Sequence, residues 1–354
     1  MVGTDGDETI DTFLGSLGAT DEQIETARRD CRVAGLAGDL VLARGATLDA
    51  DNLADRIGIP VDHVISLWRT LGVAVSDART PMFSERDAEL TFSIISTNPI
   101  GTHGDELLRV LGSALARVAE AAVSLYVQTV EPSMDLPEVD TVVWAKDLAD
   151  VTAAALELGD SMGAIFAHHL RDAIDRQRVA QKGISERSLF RVAVGFIDLV
   201  GFTPLSLHAS PSELLELIGE FEVSSFEVAA AHGGRIVKQI GDEVMFVAVD
   251  AASGCAIARD LMAAGVGGVE PRGGVAFGDV ITRHGDYYGA VVNLASRLGD
   301  LAIPKEVLVD AATARSASTS FSFRPAGHRL LKGFDDPFEV YSLELGPDSD
   351  RART

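Results

Sequence analysis

The sequence has little of what marks several large protein classes. Its only two cysteines, Cys31 and Cys255, lie far apart and in no metal-ligand spacing. They supply neither a disulfide framework nor a zinc cluster, and both are expected to be buried thiols of a reducing compartment. Positive charge is also scarce: 30 basic against 53 acidic residues leave a formal charge of -23. Such a field opposes nonspecific association with nucleic acid or anionic membranes. No basic segment followed by an apolar one opens the chain, and no charge-free apolar run of about 18 residues occurs in it. The expectation is a soluble, cytoplasmic protein with no membrane span. No G-x-x-x-x-G-K-[ST], H-E-x-x-H or paired C-x-x-C motif occurs, so P-loop ATPases and the common zinc enzymes find no footing. There is no internal repeat or low-complexity tract. With 354 residues, the chain can build two ordinary domains, each with its own core.

The first of these reads as helical. Thr20-Asp21-Glu22-Gln23 is a capping-box start for a helix running toward Gly45. Thr47 to Val73 has a helix, a glycine-containing turn and a second helix, the pattern of a helix-turn-helix unit. That would set His63, Ser66 and Arg69 on a recognition helix. Asp49, Asp51, Asp55 and Asp62 crowd the same stretch with charge of the same sign as phosphate, which favours a small packing module over DNA binding. A long apolar helix spans 105–129, with Leu107, Leu111, Leu115, Val118 and Leu125 among its apolar positions, and a connection marked by Pro132 and Pro137 follows. A second long helix, from about Val143 to Gln181, grows more polar toward Gly183, as a linker between domains should. Its adjacent His168 and His169 point about 100° apart, too divergent to chelate one metal. Either a solvated face or a pH-responsive one fits them.

From Ser188 the pattern alternates. Strands are expected at 190–198, 234–240, 243–249, 272–281, 306–309, 321–327 and 338–343, and helices at 211–232, 251–264, 289–301 and 310–316. The β-α-β-β-α-β order of the first part is the ferredoxin-like split unit, an α+β fold with helices on one face of an antiparallel sheet. Lys238 to Phe246, K-Q-I-G-D-E-V-M-F, has a Gly-Asp pair between β-preferring runs, the signature of a hairpin with Asp242 at its tip. Asp198 ends the first strand, and a right-handed crossover would bring it beside Asp242. Two adjacent carboxylates repel unless a cation sits between them, and Mg²⁺ takes such oxygen ligands, usually with substrate phosphates. Read from the residues alone, a metal pair and two solvated turn aspartates remain equal alternatives.

F-I-D-L-V-G-F-T (Phe196 to Thr203), K-Q-I-G-D-E-V-M-F and D-Y-Y-G-A-V-V-N-L-A-S-R (Asp286 to Arg297) resemble, in order and spacing, the three signature blocks of class III nucleotide cyclases. With their surroundings they cover about 150 residues. The resemblance implies that Asp198 and Asp242, with Ile197 beside them, hold two Mg²⁺ or Mn²⁺ ions. It implies that Lys238 and Asp286 read the purine. An ammonium and a carboxylate complement adenine's N1 acceptor and N6 donor, so the substrate implied is ATP. Asn293 and Arg297, four apart on one helix face, match the residues that orient the ribose and stabilise the pentavalent phosphorus. Lys332 in L-L-K-G-F matches a lysine on the polyphosphate. The segment containing Phe196, Gly201, Phe202 and Thr203 would offer backbone N–H groups near the phosphates. In this family the metal aspartates come from one chain and the other residues from its partner. One chain here carries both sets, so a homodimer with two shared sites is implied.

The remaining sequence resembles the regulatory half of acid-sensing actinobacterial cyclases. That assigns 1–165 to an all-helical, autoinhibitory domain, 166–188 to a linker helix, 189–345 to the catalytic domain and 346–354 to a disordered tail. A small-molecule ligand could also enter the helical domain. Two competing readings have residues of their own. I-G-D-E-V is similar to the turn of diguanylate cyclases, though it lacks the first glycine and the phenylalanine. A nucleotide-sensing regulator would bind DNA through 47–73, against the acidic balance of the chain.

Overall fold

The structure is a computed structural model that describes residues 9–97, 104–129, 140–180, 189–265 and 268–346. Contacts divide the chain into two units, 1–167 and 168–354. The expected tail after Gly346, the Pro132–Pro137 connection and the last part of the linker, from 181 on, lie outside the described residues.

In the first unit the helices are α1 (Ile10–Ser16), α2 (Asp21–Arg29), α3 (Gly35–Leu42), α4 (Ala50–Ile57), α5 (Val61–Thr70), α6 (Glu85–Thr97) and α7 (Gly104–Thr129), followed by most of α8 (Thr141–Ala180). Thr20 does cap α2, and the reciprocal bond from its own backbone N–H to the Gln23 side chain completes the capping box. The helix stops at Arg29 rather than running toward Gly45, because the chain reverses at Cys31, which takes a left-handed φ of 55°. Cys31 is therefore exposed, against expectation, while Cys255 is buried. Burial raises the Cys255 thiol to about 12, so it stays protonated.

Two small cores hold this unit. One gathers Leu14, Ile24, Ala27 and Leu36 against Ala145 and Ala149 of α8. The other packs Leu53, Val64 and Trp68 around Phe83, with the Trp68 indole N–H donating to Thr91 at 3.2 Å. The expected two-helix segment is α4 and α5, joined across Gly58 at a left-handed φ of 73°. Val64 and Trp68 face inward, and His63, Ser66 and Arg69 face solvent. Among the described residues, one helix, 104–128, is by length and composition apolar enough to cross a membrane. The charge-free criterion passed over it because Arg109, Arg117 and Glu120 interrupt the run. His168 and His169 on α8 are both exposed.

In the second unit a mixed sheet runs in the order β2-β3-β1-β4-β6-β8-β7. Its strands are β1 (Leu189–Leu199), β2 (Arg235–Ile240), β3 (Glu243–Ala248), β4 (Pro271–Arg283), β6 (Val307–Asp310), β7 (Phe323–Arg329) and β8 (Phe338–Leu343). A short β5 (Asp286–Tyr288), absent from the sequence reading, pairs with β4 alone. The first four strands are antiparallel neighbours in ferredoxin-like order, and β6 joins β4 in parallel. Apolar alternation puts Ile197, Phe246 and Val275 on one face, beneath α10 (Pro211–Ala231), α11 (Ala251–Ala264) and α13 (Ala311–Ala317). Val194, Phe196 and Met245 lie on the other, beneath α12 (Ala290–Leu301). Helices thus cover both faces. The split unit's own pair, α10 and α11, shares one face as expected, and α12 covers the second because Leu294, Ala295 and Leu298 give it an apolar stripe of its own.

Candidate active site

The site grows from the end of the sheet where β1 leaves the core. Register places Glu243 of β3, Asp198 of β1 and Arg272 of β4 in one row across three strands. Arg272 donates from Nε and Nη2 to one oxygen of Asp198, at 3.0 and 2.9 Å. Its Nη1 donates to the carbonyl of Asp300 at 3.1 Å, at the end of α12. The β2–β3 hairpin closes over Gly241-Asp242, with Ile240 opposite Glu243. Gly241 takes a φ of 63°, a conformation any β-carbon would strain, and this turn tucks Asp242 back against β1. The Leu199 N–H donates to the Asp242 carbonyl at 3.3 Å.

The carboxylates here press on one another. Burial raises the Asp242 carboxyl above its ordinary range, and the neighbouring Asp198 adds to the rise. Glu243 is raised to about 7, first by burial and then by Asp198, Asp300 and Asp242. Asp198 and Asp242 are thus brought together, and Arg272 offsets part of their charge. This donor set fits a hard divalent cation. Among the described residues no group of three or more His, Cys, Asp or Glu side chains is arranged to hold a metal. Two carboxylates would therefore need oxygens from the main chain, such as that of Ile197, and from a ligand's phosphates. The side chains of Ile197 and Phe196 are themselves buried in the two cores.

Lys238 and Asp286 meet elsewhere on the same face, with the Lys238 ammonium donating to Asp286 at 2.7 Å. The other carboxylate oxygen accepts the Tyr287 N–H at 2.8 Å. A bulge aims Lys238: the β2–β3 register slips between Ile236 and Lys238, so Lys238 pairs with Met245 and shares its face. Asn293 and Arg297 stand one turn apart on α12. Arg297 is paired to Asp300 at 2.7 Å. Within this chain no hydrogen bond or ion pair joins either residue to Asp198 or Asp242 among the described residues. Gly201 stands in left-handed conformation before the short α9 (Phe202–Ser206), which contains Phe202 and Thr203. Lys332 is exposed in the turn after β7.

Two features of this site carried no motif. Arg272 is a lone arginine at a strand start, and only counting the antiparallel register outward from Asp198 could have found it. Gly274 lets α12 lie directly on β4: a β-carbon there would stand 2.3 Å from both the Ala295 carbonyl and the Gly299 N–H.

The Adenylate and Guanylate cyclase catalytic domain family matches residues 268–345. An uncharacterised Mycobacterium tuberculosis protein is 33% identical over 353 residues, spanning 97% of this chain and 90% of its own length. An adenylate cyclase of Streptomyces coelicolor is 34% identical over 270 residues, 73% of this chain and 68% of its own. A pH-sensitive adenylate cyclase of Mycobacterium tuberculosis is 26% identical over 380 residues, 96% of this chain and 93% of its own. The sheet, its carboxylate row and these relatives lead to one conclusion: the chain belongs to the class III adenylate and guanylate cyclase family.

Proposed function

We propose that the protein converts ATP to 3′,5′-cyclic AMP and pyrophosphate. The observation that carries the choice of ATP is the Lys238–Asp286 ion pair at 2.7 Å. Its ammonium is a donor for adenine N1 and its carboxylate an acceptor for the N6 amine, whereas guanine presents the reverse pattern at these positions. A mismatched base would leave buried polar groups unpaired, which can discriminate by several powers of ten.

Cyclases of this family are metal-dependent as a class. Here Asp198, Asp242 and the main-chain carbonyl of Ile197 would hold two Mg²⁺ or Mn²⁺ ions. When bound, such ions lower the pKa of the ribose 3′-hydroxyl and neutralise polyphosphate charge. The 3′-oxygen attacks the α-phosphorus, losing its proton, as the bond to the bridging oxygen of pyrophosphate breaks. Arg297 donates to the charge developing on the phosphorus oxygens, and Asn293 orients the ribose. Arg272, Lys332 and the backbone N–H groups of Gly201, Phe202 and Thr203 steady the polyphosphate. Arg297 and Asn293 serve the carboxylates of a second copy, making the working form a homodimer. The helical region, 1 to about 185, restrains this reaction, and protonation of histidines or carboxylates around the linker relieves the restraint.

The test is cyclic nucleotide formation from ATP and from GTP, with Mg²⁺ or Mn²⁺. ATP turnover at least a hundredfold above GTP turnover is expected; no product from either would end the cyclase reading. Asp198→Ala and Arg297→Ala chains should each be inactive and regain activity when mixed, and a mixture that stays dead would remove the shared site. Replacing both histidines with alanine should flatten the rate profile between pH 5 and 8, and an unchanged profile would remove them from regulation.

A further inference from the structure

We infer that Arg235 is a positioning residue for base selection, acting through the turn that presents Asp286. This rests on the reading of Lys238 and Asp286 as the purine-contacting pair. Two side chains three apart on a regular strand emerge on opposite faces. Arg235 and Lys238 do not, because the bulge at Val237 lies between them: Arg235 pairs with Val247, Lys238 with Met245, and both partners belong to the core beneath α12. Both cations therefore reach the β4–β5 hairpin from the same side, and they hold consecutive residues of it. The Arg235 Nη2 donates to the Gly285 carbonyl at 2.7 Å. The Lys238 ammonium donates to Asp286 at 2.7 Å.

The hairpin needs such a hold. Its loop is the pair His284-Gly285, with φ of 56° and 78°, and Arg283 opposite Asp286 closes it. Positive φ at both loop positions is the geometry of a tight two-residue turn, and a histidine at the first of them carries backbone strain. Beyond Asp286, the Tyr287 ring lies under the Arg235 guanidinium, 5.4 Å from its centroid. Arg235 thus touches the residue before Asp286 and the residue after it. With its backbone held on both sides and one oxygen on the Tyr287 N–H, the carboxylate has a fixed direction for its remaining acceptor positions. Base selection needs that direction, because a hydrogen bond weakens steeply as its angle departs from linear. Lys238 alone, on a flexible stem, would keep the charge near Asp286 without fixing its plane.

A brace that only stabilised the fold would lower turnover of every nucleotide together. A positioning residue lowers the ratio of kcat/KM for ATP to that for GTP. Arg235→Ala in the full chain is expected to reduce this ratio about tenfold, an effect on the scale of one misdirected hydrogen bond. Arg235→Lys, which keeps a donor for the Gly285 carbonyl, should recover most of it. In an Asp286→Ala background, Arg235→Ala should leave the ratio unchanged. If the two nucleotides fall in parallel, or the ratio shifts equally without Asp286, the inference is overturned. Lys238→Ala separates the two levels: a shifted ratio there with none in Arg235→Ala overturns this inference alone, and no shift in either overturns the purine assignment as well. Should Arg235→Ala not fold, Arg235→Gln and Tyr287→Leu make the same comparison.

Discussion

Two ends of one sheet face handle charge in opposite ways. Where Lys238 meets Asp286, opposite charges pair at 2.7 Å, with Arg235 bracing the turn beside them. Where β1 ends, Asp198, Asp242 and Glu243 gather beside the Arg272 guanidinium, with Asp300, itself paired to Arg297, acting on Glu243 as well. The first arrangement is satisfied by the fold itself, so it can be rigid before any ligand arrives. The second carries excess negative charge that Arg272 and Arg297 offset only in part, and the Asp242 and Glu243 carboxyls are raised there by burial and by their acidic neighbours. A site made in this way favours whatever brings positive charge to it. The difference separates an ion pair whose geometry the fold itself fixes from a carboxylate cluster whose charge the fold leaves only partly offset.

Removing a carboxylate from the crowded end tests this contrast most severely. Asp198→Ala or Asp242→Ala is expected to lower cyclase turnover by about a thousandfold or more, with the thermal midpoint unchanged or raised. Turnover within tenfold of the parent would mean that the crowding has no catalytic purpose. The next effect is on packing between the two ends. Gly274→Ala should destabilise the second unit by about 1–3 kcal/mol, because the added methyl meets backbone of α12 that cannot rotate away. Denaturant unfolding would show it, and a neutral result would mean that α12 does not rest on β4.

The smallest effect is a pH dependence confined to the crowded end. In the folded chain Glu243 keeps its proton up to about 7, against 4.5 for the ordinary group. Its contribution to stability is therefore full below pH 4.5 and lost as pH rises through about 7. In chelator, Glu243→Gln should flatten that decline by about 1 kcal/mol, after allowance for solvent screening. An unaltered slope would place the burden on other groups.

Much of the second unit was legible in the sequence. The strand through Val192 to Ile197 reads from its apolar run, and the hairpin from Gly241-Asp242. The helix at 211–231 opens on Ser210 and Glu213, which form its capping box, with Pro211 in its first turn. Local chemistry sets such features, so local patterns reveal them. The Val237 bulge was hidden because R-I-V-K reads as unbroken strand and gives no sign of which residue is left unpaired. β5 was hidden because three residues, Asp286–Tyr288, carry too little alternation to stand out. In the first unit, the stop of α2 at Arg29 depends on a left-handed Cys31 that no propensity would assign to cysteine.

The sequence by itself determined which chemical groups the protein has and in what order: two aspartates at strand ends, a lysine before the hairpin tip and an aspartate before the last helix of the motif blocks, an asparagine and an arginine one helical turn apart. Those are properties of composition and short spacing, fixed by side-chain chemistry and by the periods of strand and helix. Only the tertiary structure decided that Arg272 would lie on Asp198, that four carboxylates would share one sheet end, and that Arg235 and Lys238 would face the same way. The first two depend on strand register between segments up to 74 residues apart and the third on a bulge inside the β2–β3 hairpin, and register is settled by the packing of both sheet faces at once.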